Sequence, residues 1–273
     1  MKAEAAATPA GMRYRLLFRN RALTLLWGGE AVSVGGDTFF ALAVMWVVYA
    51  ESGSALQTAL IQVVWHLSSV VFGPLAGALA DRWDRKQVMV VTNVLAAATA
   101  AALAGAMVVY GRLPVPAAML AAFFLRSLAT FLTPARASLM PDVVGRDLLA
   151  TATGLYATLR EAASLLGNAV AGTVIAVLGA VWAVVIDALS FLVAAVCIAL
   201  APLPTRPMLP SSDATRISLA RDLRDGWRVI SAHPVLRTTV WLNTLTNVTS
   251  FLGPLYPALV SQRLHADAAP WGP

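Results

Sequence analysis

One cysteine, three histidines and two lysines in a chain of 273 residues remove several chemistries at once. Cys197 alone cannot close an intramolecular disulfide, and its place inside an apolar run leaves no thiolate set for redox or metal work. His66, His233 and His265 are scattered, without metal-ligand spacing. The only lysines are Lys2 and Lys86, so a seventh-helix Schiff base of the retinal-protein kind has no residue to form on. No nucleophile–base pair and no phosphate-binding glycine loop stands in the sequence, so neither an enzyme nor a cofactor is expected. Charge is scarce as well. Asp, Glu, Lys and Arg make up 12% of the chain, against roughly 25% in a soluble domain.

What fills the chain instead is apolar: 59% of residues, with a mean hydropathy of +0.72. This composition specifies an all-α integral membrane protein embedded in a lipid bilayer. Residues 1–21 form a basic N-terminal segment whose stretch Met12 to Arg21 is amphipathic and suited to the membrane surface. Six apolar runs follow within 22–201, over Ala22–Ala50, Ala55–Ala80, Gln87–Tyr110, Val115–Pro134, Leu148–Leu178 and Val181–Leu200. Each reaches the roughly 20 residues a bilayer core requires. Residues 135–147 read as a charged loop, and 202–235, rich in proline and charge, as a cytoplasmic linker with one surface helix at RDLRDGWRVI. A seventh span is expected over 236–260 and an extracytoplasmic tail over 261–273.

The net charge of +6 does not point to nucleic acid, because the basic residues follow the membrane topology. Five precede the first span, three lie in the turn after the second and six fall between Arg206 and Arg237, whereas the opposite loops hold only Arg112 and Arg263. The positive-inside rule therefore places the N-terminus in the cytoplasm. Seven spans then leave the C-terminus outside.

The turn GPLAGALADRWDRK, Gly73 to Lys86, is the most specific motif. Its Gly77, Leu79, Ala80, Asp81, Arg82, Arg85 and Lys86 resemble the signature loop of the major facilitator superfamily, G-x-L-A-D-R-x-G-R-[RK]. Asp84 replaces the second glycine, as in the drug- and macrolide-efflux branch. The resemblance implies a six-helix N-terminal bundle, a cytoplasmic linker and the first helix of a second bundle, in a bacterial cytoplasmic membrane. It implies expulsion of an amphipathic small molecule by alternating access, in exchange for protons. It also implies a cytoplasmic latch in which Asp81 pairs with Arg136 at the end of the fourth helix and meets the opposite half.

Ionisable residues inside spans are the candidates for transport. Glu30 and Asp37 are seven apart on the first span and share a face, Asp37 near mid-depth. Arg126, with Thr130 and Thr133, forms a polar stripe on the fourth, and its guanidinium needs a partner, for which Asp37 is preferred. Arg160 and Glu161 are adjacent on the fifth span and point about 100° apart. LGNAVAG resembles the exporter motif G-x-x-x-G-P-x-x-G-G in keeping Gly167 and Gly172, but carries Asn168 in place of proline. Asp187 and Ser190 on the sixth span read as structural. Asn243 and Asn247 form a stripe on the seventh. Trp46, Trp65, Phe39, Phe40 and Tyr156 are candidates to stack on a lipophilic substrate.

A different class of reading is a membrane fragment that does not transport, or a half-transporter needing a partner for five further helices or self-association to cover its polar face. A seven-helix receptor is disfavoured by the orientation.

Overall fold

The structure, a computed structural model, describes residues 10–80, 83–111, 115–203 and 219–250. They form α1 (Ala10–Arg19), α2 (Arg21–Ser52), α3 (Ala55–Ala80), α4 (Arg85–Tyr110), α5 (Val115–Val144), α6 (Leu149–Leu178), α7 (Ala180–Leu200), α8 (Leu219–Ala232) and α9 (Pro234–Ser250). Six of these, α2 to α7, are long and apolar enough to cross a membrane. The chain is an all-α, multi-pass membrane protein.

Local chemistry sets the ends of these helices. Asn20 caps α2, its side chain accepting from the Leu23 N–H, while its own amide donates to the Val143 carbonyl at 3.2 Å. That second bond ties the start of α2 to the end of α5. Gly53 ends α2 at φ 60, a left-handed turn that suits glycine, and its N–H returns to the Tyr49 carbonyl. Asp84 caps α4 by accepting from the Gln87 N–H at 2.8 Å. The departure from glycine in the signature turn thus has a local reason: an aspartate starts the next helix.

One boundary differs from the sequence reading. The fourth membrane helix does not stop at Pro134 but runs to Val144, with Pro134 and Pro141 inside it. A proline removes one backbone hydrogen bond, and neighbouring helices and hydroxyls in a membrane bundle tolerate this. Residues 135–144, expected in a loop, are therefore helical, and Arg136 among them is buried in the bundle. The linker helix appears as α8. The expected seventh span begins as α9, and the rest of 236–260 lies outside the described residues.

In the bundle, α7 packs between α2 and α4, α5 packs against both α3 and α4, and α6 lies along α2. Two apolar clusters form the core. One gathers Phe40, Val44, Ala100, Ala122 and Val184, and the other Leu23, Leu26, Met89, Leu139 and Ile198. Much of the packing surface is alanine, including Ala96, Ala97, Ala100 and Ala104 of α4, which lets backbones approach closely. Along the chain, the polar positions 30–37 of α2 and 126–136 of α5 fall between residues of the first cluster and residues of the second. A polar layer separates two oily ones.

Candidate functional site

The polar layer opens into a cleft of about 760 Å³, a volume that includes its open mouth. Glu30, Ser33, Val34 and Asp37 of α2 line it at helical spacing, so one face of this helix supplies two carboxyls. Arg126, Ala129, Thr133 and Arg136 repeat the pattern on α5, and α6 contributes Arg160. Aromatic walls come from Phe40, Trp65 and Phe191, with Phe40 and Trp65 inclined to one another at 6.2 Å between ring centroids. The lining thus sets aromatic walls beside carboxyl, guanidinium and hydroxyl groups.

Arg136 is the most tightly held charge. Its guanidinium makes a buried ion pair with Glu30 and lies 4.5 Å over the Tyr156 ring, while the Tyr156 hydroxyl donates to Glu30 Oε1 at 2.9 Å. Three helices, α2, α5 and α6, meet through these side chains. Arg136, expected in a latch with Asp81, is paired with Glu30 inside the bundle, and Asp81 lies outside the described residues. At the α4–α5 end an ion pair joins Arg85 to Asp142 at 3.0 Å, and Lys86 donates to the Ala201 carbonyl at 2.9 Å.

Arg126 does not take Asp37 as a direct partner. Its Nε donates to Ser69 of α3 at 3.1 Å, and Ser69 sits 3.4 Å from the Thr130 hydroxyl. Arg126 also borders a second cleft lined by Ser69, Gly73 and Thr130, so it stands between two openings. Arg126 and Arg160 both lie within electrostatic range of Asp37. A half-buried carboxyl therefore faces two cations without contact to either, an arrangement that can exchange partners at little cost in geometry.

Of the residues chosen from the sequence, Asp37, Arg126, Arg160 and Arg136 line one cleft. Glu161 does not: it is exposed on the outer side of α6, as are Arg160 in part and Asn168. Phe39 is buried in the apolar core and Trp46 lies on the outer surface, leaving Phe40 and Trp65 as the cleft's aromatics among those named. Asn243 and Asn247 belong to α9 and their side chains lie outside the described residues, as do Gly77 and Arg82. Glu30 and Tyr156 meet at Arg136, a grouping that the sequence does not show. The seven-residue spacing of Glu30 from Asp37 does put both on the cleft face.

Comparison with known proteins agrees with this architecture. Macrolide efflux protein A of Streptococcus pyogenes is 29% identical over 226 residues, covering 81% of this chain and 54% of that protein. The multidrug efflux pump Tap of Mycolicibacterium fortuitum is 28% identical over 222 residues, covering 79% of this chain and 54% of Tap. An uncharacterised MFS-type transporter of Bacillus subtilis, YfiS, is 23% identical over 224 residues, or 81% of this chain and 52% of YfiS. The chain spans about half the length of the curated relatives it matches. No solved structure matches it. The profile of the transmembrane secretion effectors matches residues 16–273, and on that match the chain belongs to this family of major facilitator transporters, which are not enzymes.

Proposed function

We propose that this chain supplies the N-terminal helical half of an exporter that moves amphipathic small molecules, macrolides among them, out of a bacterial cell by alternating access in exchange for protons. The observation that carries the reading is the cleft itself: a carboxyl, Asp37, facing two cations in a layer otherwise walled by Phe40, Trp65 and Phe191. A basic, lipophilic substrate fits the aromatic walls and competes with the arginines for Asp37. A proton on Asp37 does the same by removing its charge, so substrate and proton are alternative occupants of one carboxyl. Asp37 is the coupling residue, Arg126 and Arg160 its cationic partners, and Glu30, Arg136 and Tyr156 the clamp that holds α2, α5 and α6 together. The N-terminus is cytoplasmic, Asn243 and Asn247 belong to the cavity polar set as the first helix of the second half, and Glu161 faces that half.

The test is accumulation of a radiolabelled macrolide and of a fluorescent amphipathic cation in energised bacteria expressing the chain, with and without a protonophore. Lower accumulation that the protonophore abolishes and Asp37→Asn removes supports the reading. Accumulation unchanged by Asp37→Asn in an actively exporting strain rejects proton coupling at this residue.

A specific observation favours a second reading, in which the chain transports only with a partner. Arg160, Glu161 and Asn168 are exposed on α6, and charges facing lipid are costly. That face requires either further helices or water. Correctly inserted chain that leaves accumulation at the level of cells lacking it supports this reading.

A further inference from the structure

We propose that Asp187 is a proton-carrying carboxyl in the seam between α2 and α7, the inner member of an acid pair whose outer member, Asp37, faces the cleft. Asp187 is 0% exposed. Its two carboxyl oxygens and Trp27 Nε1 are, among the described residues, the buried side-chain polar atoms without a hydrogen-bond partner. Ser190, one turn further along α7, directs its hydroxyl to the Asp187 main-chain carbonyl at 2.8 Å, although the same hydroxyl lies beside the carboxyl.

The pocket is built by a glycine. A Cβ on Gly36 would stand 3.0 Å from Asp187 Oδ1 and would overlap Ser190, so the missing side chain is the space these two residues use. An isolated carboxylate in such a place has lost its hydration with nothing in return, and the group holds a proton instead. The surroundings agree. From α2 the titratable neighbour is Asp37, next to Gly36 in sequence and within electrostatic range of Asp187. On α4 no Asp, Glu, Lys, Arg or His occurs between Gln87 and Val109. On α6 the charged groups are Arg160, whose charge falls on Asp37, and Glu161, which is exposed. Like charges close together oppose joint ionisation. Asp37 has two cations in range and Asp187 has none in contact, so of the two carboxyls Asp187 is the one that keeps the proton more tightly.

The seam is then closed only while Asp187 is protonated. Its proton can leave only when α7 separates from α2 and water enters, and it passes to the cleft water beside Asp37. Its use in transport rests on the proton-coupled reading above; its protonation does not.

Infrared spectra of the purified chain in lipid nanodiscs at neutral pH, unlabelled and with carbon-13 in the aspartate carboxyls, test this. The expected result is a protonated-acid C=O band that shifts with the label in the unmutated chain, is lost in Asp187→Asn and is kept in Asp37→Asn. No label-shifted acid band in the unmutated chain overturns the proposal however the variants fold. A band that survives Asp187→Asn does so as well. Neither outcome depends on transport, so failure of the exporter reading and failure of this one are read separately.

Discussion

Arg136 is where a single side chain decides most. Its guanidinium is held by one carboxylate and one aromatic face in a setting from which water is nearly excluded. Removing one partner of a buried pair leaves the other uncompensated, at a typical expense of about 3–5 kcal/mol. We expect Arg136→Ala to lower stability by about 3 kcal/mol, and Glu30→Gln by less, because an amide still accepts from Tyr156. The double variant Glu30→Gln/Arg136→Gln is expected to be more stable than the sum of its single changes, since no unpaired charge remains. Tryptophan-fluorescence melting in detergent micelles reads this, and strict additivity of the two changes would show that the pair is not coupled. The outer pair Arg85–Asp142, each side chain about one-fifth exposed, is a contrasting case. Exposed pairs contribute about 0–1 kcal/mol, so Asp142→Asn is expected to move the same melting curve little.

Between elements, glycine sets the distances. Gly29 and Gly36 lie on the α7 side of α2, where added Cβ atoms would come within 2.8 Å of Cys197 Cβ and 2.6 Å of Ser190 Cβ. Gly167 of α6 approaches from the other side, where a Cβ would lie 2.8 Å from the Gly35 carbonyl oxygen. Backbone and Cβ atoms cannot rotate away, so the helices must part. Gly36→Ala and Gly167→Ala are each expected to lower stability by about 1–3 kcal/mol, the usual range for overpacking. Gly28→Ala meets nothing within 4 Å and is expected to be neutral or slightly stabilising. Equal melting of all three variants would refute the close-packed seams. The helices themselves were legible in the sequence, because hydropathy reports which stretches cannot remain in water. The end of α5 was not, since Pro134 is a stop signal in a soluble helix and a tolerated interruption in a bundle. Nor were the partners of the charges. Asp37 and Arg126 line one cleft, but which hydroxyl or carboxylate each arginine reaches depends on rotation about the helix axis by a few tens of degrees, and hydropathy is blind to that.

For the whole molecule, the distribution of exposed residues differs between α6 and α7. On α7, Leu189, Leu192, Val193 and Val196 form an outward apolar stripe suited to lipid. On α6, Leu165, Leu166 and Val170 share the exposed surface with Glu161 and Asn168. In a background of Cys197→Ala, we expect Asn168→Cys to react with a membrane-impermeant maleimide in inside-out vesicles or intact cells, and Leu192→Cys to remain unreactive in both. Both positions unreactive would place the α6 face in lipid or under a permanently closed partner. The natural thiol offers one more consequence. Cys197 sits against Gly29 at the opposite end of the contact that holds Asp187 against Gly36. The molecule thus carries a built-in reporter: without any engineering, the alkylation rate of its sole thiol times how often α7 lifts from α2. If substrate or acidity changes the spacing of those two helices, the first sign will be a change in the speed of a one-residue chemical clock.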